Sequence, residues 1–259
     1  MVETCIIPIL TYGGETRSPT KKENKEINNI LDNIIKRILM VPRTTPREEI
    51  YMETGLIDIE HTCMKNRINM EKRLNMNPDS IPYKVKENGA EKGWKYGTEN
   101  LKNKLKITQE DMQGTKESTK KAVSEKVKTQ FKLEMEVTGR DKSKVKYLSG
   151  MNIEEWTPGK PAKYMLEMTR KQVSTIFKAK TRMLDIKNNF RNKHANNICR
   201  ACKVKEETQE HILSECQILH TSEESKVSHQ EIAANDMETL RQVSRKIEDI
   251  MTKLEKTGI

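Results

Sequence analysis

The sequence predicts a mainly α-helical protein. Aromatic residues make up only 4% of the chain, too few for a sandwich or barrel built on aromatic and β-branched strands. Fourteen methionines stand against 11 glycines and eight prolines, a balance that favours helix. Apolar residues also recur at steps of three and four in several segments, the period of one helix face. Hydrophobic residues total 34%, below the roughly 45–50% of an ordinary soluble domain. One dense core over 259 residues is therefore not expected, and partly extended or disordered linkers should separate the helices.

A short apolar stretch ends at the Gly13-Gly14 turn. The spacing of Ile27, Ile30, Leu31, Ile34, Ile35, Ile38 and Leu39 predicts a helix from about Lys21 to Met40 with all seven on one face. Pro42 and Pro46 close it and open a short helix near Arg47–Thr54 that stops at Gly55. Another helix is expected from Asp58 to Met76, with Ile59, Cys63, Ile68 and Leu74 partly inward, closed by Asn77-Pro78. Residues 78–106 read as a charged linker without helical period. Thr108 to Asp111 resembles a helix start, and Val123, Val127 and Phe131 mark an exposed helix over 116–137. Gly139, Gly150, Pro158 and Gly159 punctuate a second connection. Pro161 then opens a long basic helix to about Asn189, with Met165, Met168, Val173, Ile176, Phe177, Met183, Leu184 and Ile186 as its apolar stripe. A cysteine-bearing loop follows, then a short helix from about Glu206. A last helix runs from about Asp236 to Glu255 on Leu240, Val243, Ile247, Met251 and Leu254.

No apolar run approaches the roughly 20 residues of a membrane span, and the first residues lack the basic region of a signal peptide. An intracellular protein with reduced cysteines is expected. The window from Arg140 to Arg200 holds 15 Lys or Arg against five acids, an excess equal to the +10 of the whole chain. A basic excess confined to one segment points to a polyanion-facing surface, with a solvated helix face as the plainer reading. The candidate phosphate-binding residues are Lys163, Arg170, Lys171, Lys178, Lys180, Arg182, Lys187, Arg191, Lys193 and Arg200. Tyr164 and Phe190 could stack on bases, or pack in the core.

Cys199, Cys202, His211 and Cys216 form a C-x2-C-x8-H-x4-C (CCHC) array. Three thiolates and an imidazole suit tetrahedral Zn²⁺, and four protein ligands leave no position for a reactive water, so the ion would be structural. The intervening segment has few large apolar groups, so metal binding would drive its folding. His194 and His220 are possible substitute ligands. Cys5 and Cys63, on apolar stretches, are expected to pack in the core. Phosphate-loop, dinucleotide, zinc-protease and serine-hydrolase motifs are all absent, as is any Asp-Asp pair, and Glu154-Glu155 reads as solvated surface. No enzymatic activity is expected.

Four blocks resemble one family. Leu10-Thr-Tyr-Gly-Gly-Glu-Thr-Arg17 is similar to the L-x-Y-G-x-E-T-W block at the palm-to-thumb junction of non-LTR (LINE-type) retrotransposon reverse transcriptases, with Arg17 where Trp is usual. Ile34-Ile-Lys-Arg-Ile-Leu-Met-Val-Pro-Arg-Thr-Thr-Pro46 and Tyr51-Met-Glu-Thr-Gly-Leu56 resemble the thumb helix and the following turn. Arg182-Met-Leu-Asp-Ile-Lys-Asn-Asn-Phe190 resembles the basic run before the family's zinc knuckle, and Cys199, Cys202, His211 and Cys216 resemble the knuckle itself. The resemblance implies a thumb-like segment over 1–77, a charged linker with one exposed helix over 78–150, a basic helix with a CCHC zinc domain over 151–220, and a C-terminal helix over 221–259. It implies a parent RNA-directed DNA polymerase whose catalytic aspartates and endonuclease are missing here, as in a truncated copy read from an internal Met. The expected partner is nucleic acid, RNA or single strands, with weak sequence preference, and the missing upstream domains are a further partner. The competing reading is a zinc-stapled protein-interaction module, with the stripes of 27–39 and 240–254 facing a partner, or a relic without function.

Overall fold

The computed structural model describes residues 2–17, 19–89, 93–140, 156–194 and 196–257, and among them the protein is mainly helical. Lys142, Lys144, Lys146, Gly150, Glu154 and Glu155 lie outside the described residues, as do the side chains of Arg140, Arg191 and Lys193. The β structure among the described residues is a single antiparallel bridge, Ile198 to Glu206. No described helix is long and apolar enough to cross a membrane.

The chain forms two compact units. The first contains Met1–Ile35, Gly55–Val137 and Thr157–Lys160; the second contains Lys36–Thr54 and Pro161–Ile259. In the first unit, α1 (Ile7–Leu10) precedes α2 (Lys21–Ile38), which the Thr20–Glu23 capping box starts. The buried side of α2 is more polar than its isoleucine stripe predicts. Asn24, Asn28 and Asp32 are buried beside Leu31 and Ile35, while Ile30 is half exposed. Asn28 justifies its burial by accepting from the amide of Ile59, at the start of α4 (Ile59–Asn75).

Residues 78–106 are not a linker. Ser80 caps α5 (Ile81–Glu87), and α6 spans Trp94–Lys104. The buried guanidinium of Arg67 on α4 holds this region by polar contacts, which leave no apolar period to read. It donates to Thr98 Oγ1, to the Trp94 carbonyl and to the Arg17 carbonyl, and it lies 5.3 Å from the Trp94 ring centre. After α7 (Gln109–Gln113), opened by the Thr108–Asp111 capping box, comes α8 (Lys116–Arg140). It buries Val123, Val127, Phe131 and Met135, the first two in a cluster with Met64, Ile68 and Leu105.

Beside that cluster His61 is buried against the Phe131 ring, 5.1 Å between centroids. Its Nδ1 lies 2.8 Å from Asp58, whose carboxylate also caps α4, and its Nε2 lies 3.5 Å from Glu134. Burial pushes the imidazole down, but Asp58 and Glu134 outweigh it and raise its pKa to about 9.

In the second unit α3 (Arg47–Thr54) buries Ile50, Tyr51 and Glu53. The long basic helix expected from Pro161 to Asn189 is instead broken into α9 (Lys163–Glu167), α10 (Arg170–Lys180) and a 3₁₀ segment, Lys187–Lys193, kinked at Phe190. Thr169 and Gln172 form a capping box that restarts the helix. Arg182 takes a left-handed φ of 55° and closes α10 in a Schellman arrangement, with the Met183 amide on the Lys178 carbonyl. A short helix α11 (His229–Ala233) leads to α12 (Met237–Thr257), which packs on α10 and buries Leu240, Val243, Ile247, Ile250 and Leu254.

The His61 arrangement sets a pH dependence. A folded pKa above the unfolded value of 6.5 gives stability that is complete below about pH 6.5 and is lost as the pH rises through about 9. Thermal melts from pH 6 to pH 10 should show this loss in the wild type, and His61→Gln should flatten it.

Candidate metal centre

The four residues of the C-x2-C-x8-H-x4-C array converge. One ligand atom from each of Cys199, Cys202, His211 and Cys216 lies within 4.8 Å of every other. Cys199 Sγ is 4.0 Å from Cys216 Sγ, and Cys202 Sγ is 3.3 Å from His211 Nε2. A tetrahedral ion with the bond lengths of zinc would separate two sulfurs by about 3.8 Å and a sulfur from a nitrogen by about 3.6 Å. The observed spacings lie close to those of such a tetrahedron. Cys199, His211 and Cys216 are buried and Cys202 is half-buried.

Two local devices produce this convergence. The first is a tight hairpin. The Cys199 amide donates to the Lys205 carbonyl, the Glu207 amide donates to the Asn197 carbonyl, and Lys203 turns the chain with a left-handed φ of 55°. The turn aims backbone amides at both sulfurs: those of Ala201 and Cys202 at Cys199, and those of Val204 and Lys205 at Cys202. Burial raises the Cys199 thiol to about 11. Burial also opposes ionisation of Cys202, but its two amides and His211 lower that thiol to about 6. The second device is a π-helical turn over His211–Glu215, in which the Cys216 amide reaches the His211 carbonyl. In an α-helix positions five apart diverge by about 140°. The wider turn brings His211 and Cys216 to one side. His211 Nδ1 makes no hydrogen bond and faces Glu215 Oε2 at 3.8 Å, the position where a metal-bound histidine usually finds a carboxylate.

Glu207, fully buried, anchors the module. It accepts from the amides of Lys187 and Arg200, both at 2.8 Å, and from the Arg200 guanidinium. Burial opposes its charge, yet Arg200 and the two amides hold its pKa below the usual carboxylate range. Gln209, also buried, donates to the Ala179 carbonyl at the end of α10. Neither residue follows from ligand spacing. The usable signal is the pairing of an acid between the ligands with the arginine after the first cysteine.

The other candidate ligands stay outside the cluster. His194 is exposed, and His220 is buried with Nε2 on the Ile212 carbonyl. Cys5 is exposed rather than packed in the core, because the π-helical turn Val2–Ile6 buries none of its residues. Cys63 is partly buried, and burial raises its thiol to about 11.

The basic residues do not form one phosphate-facing stripe. Lys180 is buried, paired with buried Glu53 at 3.6 Å and stacked 4.9 Å from the Tyr164 ring centre. Tyr164 is itself buried, as its core alternative expects. Lys171 pairs with Glu248, Arg182 with Glu210 and Lys163 with Glu167, and Arg170 donates to the carbonyls of Arg37 and Ile38. Lys178 is half-buried in a groove between α10 and α12. Lys187 and Arg200 instead meet Lys203 and Asn196 around a cleft of about 370 Å³ beside Cys199. Of the two apolar stripes, Leu31, Ile35, Leu39, Leu240, Val243, Ile247 and Leu254 are buried, while Ile30 is half exposed and Ile27, Ile34, Ile38 and Met251 are partly buried.

No family model matches this chain, and no curated protein or solved structure is similar to it.

Glu207→Ala leaves the Arg200 guanidinium without its buried partner. It should lower the unfolding free energy by about 3 kcal/mol in urea titrations.

Proposed function

We propose that Cys199, Cys202, His211 and Cys216 hold one structural Zn²⁺ and that the module they organise binds the phosphates of RNA or single-stranded nucleic acid. The observation that carries the zinc reading is the convergence of three sulfurs and one imidazole nitrogen within 4.8 Å. Thiolate and imidazole donors favour zinc over oxygen-seeking cations, and a filled tetrahedron leaves no open position for catalysis. The polyanion reading is supported by Lys187, Arg200 and Lys203 around one cleft beside the cluster, and by the basic excess of the segment that leads to it. Together with the four sequence blocks, these features support a non-catalytic C-terminal fragment of a non-LTR retrotransposon reverse transcriptase. A second reading, a zinc-stapled protein-interaction module, is favoured by Val204 and Ile218, both exposed large apolar residues flanking the cluster.

Elemental analysis of the purified chain should find one zinc per molecule, and Cys202→Ser should lose it. A metal-free native protein would refute the assignment. Binding to single-stranded RNA should weaken steeply with salt. Lys203→Gln, on an exposed side chain, should flatten the log–log salt slope by about 0.7, the share of one phosphate on a single strand. Affinity that stays constant from low to high salt would leave the protein-interaction reading.

A further inference from the structure

A cavity of about 290 Å³ in the first unit carries cations on two of its walls. It lies between α4, the first two turns of α8 and the loop that follows α1, and it suits a compact ligand. One wall holds Asn66, Asn69 and Arg73, spaced by three and four along α4 and so on one face of that helix. The other holds Lys116 and Lys120, four apart on α8. Glu15 is the one acid among the described residues that line it.

Arg73, Lys116 and Lys120 are exposed and make no hydrogen bond or ion pair among the described residues. Other cations of the same unit are paired: Lys102 with Glu71 and Glu99, Lys126 with Asp111, Lys128 with Glu125 and Lys95 with Glu87. Three cations against Glu15 leave +2 at the cavity, and counting exposed Glu117 beside Lys116 still leaves +1. Because α8 begins at Lys116, the positive end of its dipole adds to the two lysines.

The walls are fixed before any ligand arrives. Lys72, next to Arg73, donates to the Met112 and Gly114 carbonyls at 2.6 and 2.9 Å and ties α4 to the turn before α8. The Glu15 carbonyl accepts from Trp94 Nε1 at 2.7 Å, which holds the loop. Binding therefore orders side chains and little backbone. Charge spread over two walls exceeds what one carboxylate neutralises. Linked phosphates carry several charges in a small body and present oxygens that match the arginine fork.

We propose that this cavity binds an oligophosphate group, a diphosphate or triphosphate, with its oxygens on Arg73, Lys116 and Lys120 and a neutral hydrogen bond from the Asn66 amide. A free nucleoside triphosphate and the 5′-triphosphate end of an RNA strand present the same group. The site shares no residue with the cysteine cluster or with the cleft around Lys203, and it stands without the zinc assignment.

The test is isothermal titration calorimetry of the full chain with tripolyphosphate, in the absence of magnesium. Arg73→Gln and Lys120→Gln should each weaken binding about fivefold, the share of one water-screened charge contact. Glu15→Gln should tighten it about threefold, a gain that a misfolded variant does not produce. The same shifts should persist in a Lys203→Gln background, which weakens any binding at the other cleft. Displacement then separates the two sources. Stronger displacement by RNA with a 5′-triphosphate than by the same RNA with a 5′-hydroxyl places strand ends in the cavity. Displacement by a nucleoside triphosphate, with no difference between the two RNAs, places a free small molecule there. No difference between the RNAs and no displacement by the nucleoside triphosphate would overturn the proposal, as would a tripolyphosphate affinity unchanged in Arg73→Gln and Lys120→Gln.

Discussion

The C-terminal unit depends on one buried carboxylate. Glu207 gathers the amides of Lys187 and Arg200 and the guanidinium of Arg200, so three chain segments meet at a single charge. A buried carboxylate is costly unless all its lone pairs are used, and here they are, by donors that cannot rotate away because two belong to the backbone. The hairpin that carries Cys199 and Cys202 is therefore fixed against the segment that follows α10 before any ion is considered. Gln209 adds a second fixed point on the Ala179 carbonyl.

Upon this frame the thiols and imidazole are brought together by turns that ordinary helix geometry would not provide. The left-handed Lys203 closes the hairpin, and the π-helical turn converts a five-residue spacing into a shared side. Both conformations are uncommon, and both occur at the cluster, where unusual backbone is most often kept for a purpose. The apolar support behind them is small but well placed. Ile212 and Leu213 are buried, and the Leu213 carbonyl accepts from the amide of Val227, itself buried.

The legibility of the sequence varied with the kind of force that builds each part. Helices α2, α4, α8 and α12 were readable because their apolar residues repeat with the helical period, and α3 because Pro46 and Gly55 bracket it. The four clustered ligands were readable because thiols and imidazoles in order carry chemistry in their spacing. Residues 78–106 were not, since Arg67 and Trp94 hold them through single hydrogen bonds to carbonyls that have no sequence signature. The breaks in the basic segment were missed for a related reason. A Schellman closure is usually announced by glycine, and this chain places Met40, Lys106 and Arg182 at those positions. The Thr169–Gln172 capping box was present in the letters and was outweighed by the apolar stripe that ran past it. Burial of Lys180 and Glu207 was unreadable because each is tolerated only through a partner distant in sequence.

Arg182 shows what a chain can gain by refusing glycine at a helix end. A left-handed arginine costs roughly 1 kcal/mol in backbone energy, but its guanidinium crosses 3.0 Å from Glu210, at the threshold of the π-helical turn. A half-exposed pair of this kind returns a similar or smaller amount. Glycine at this position would relieve the backbone and cut the tether at once, with opposing effects of comparable size. The residue is thus nearly silent in global stability while it shares with Gln209 the tie between the cysteine module and α10, a role visible to local hydrogen exchange rather than to a melting curve.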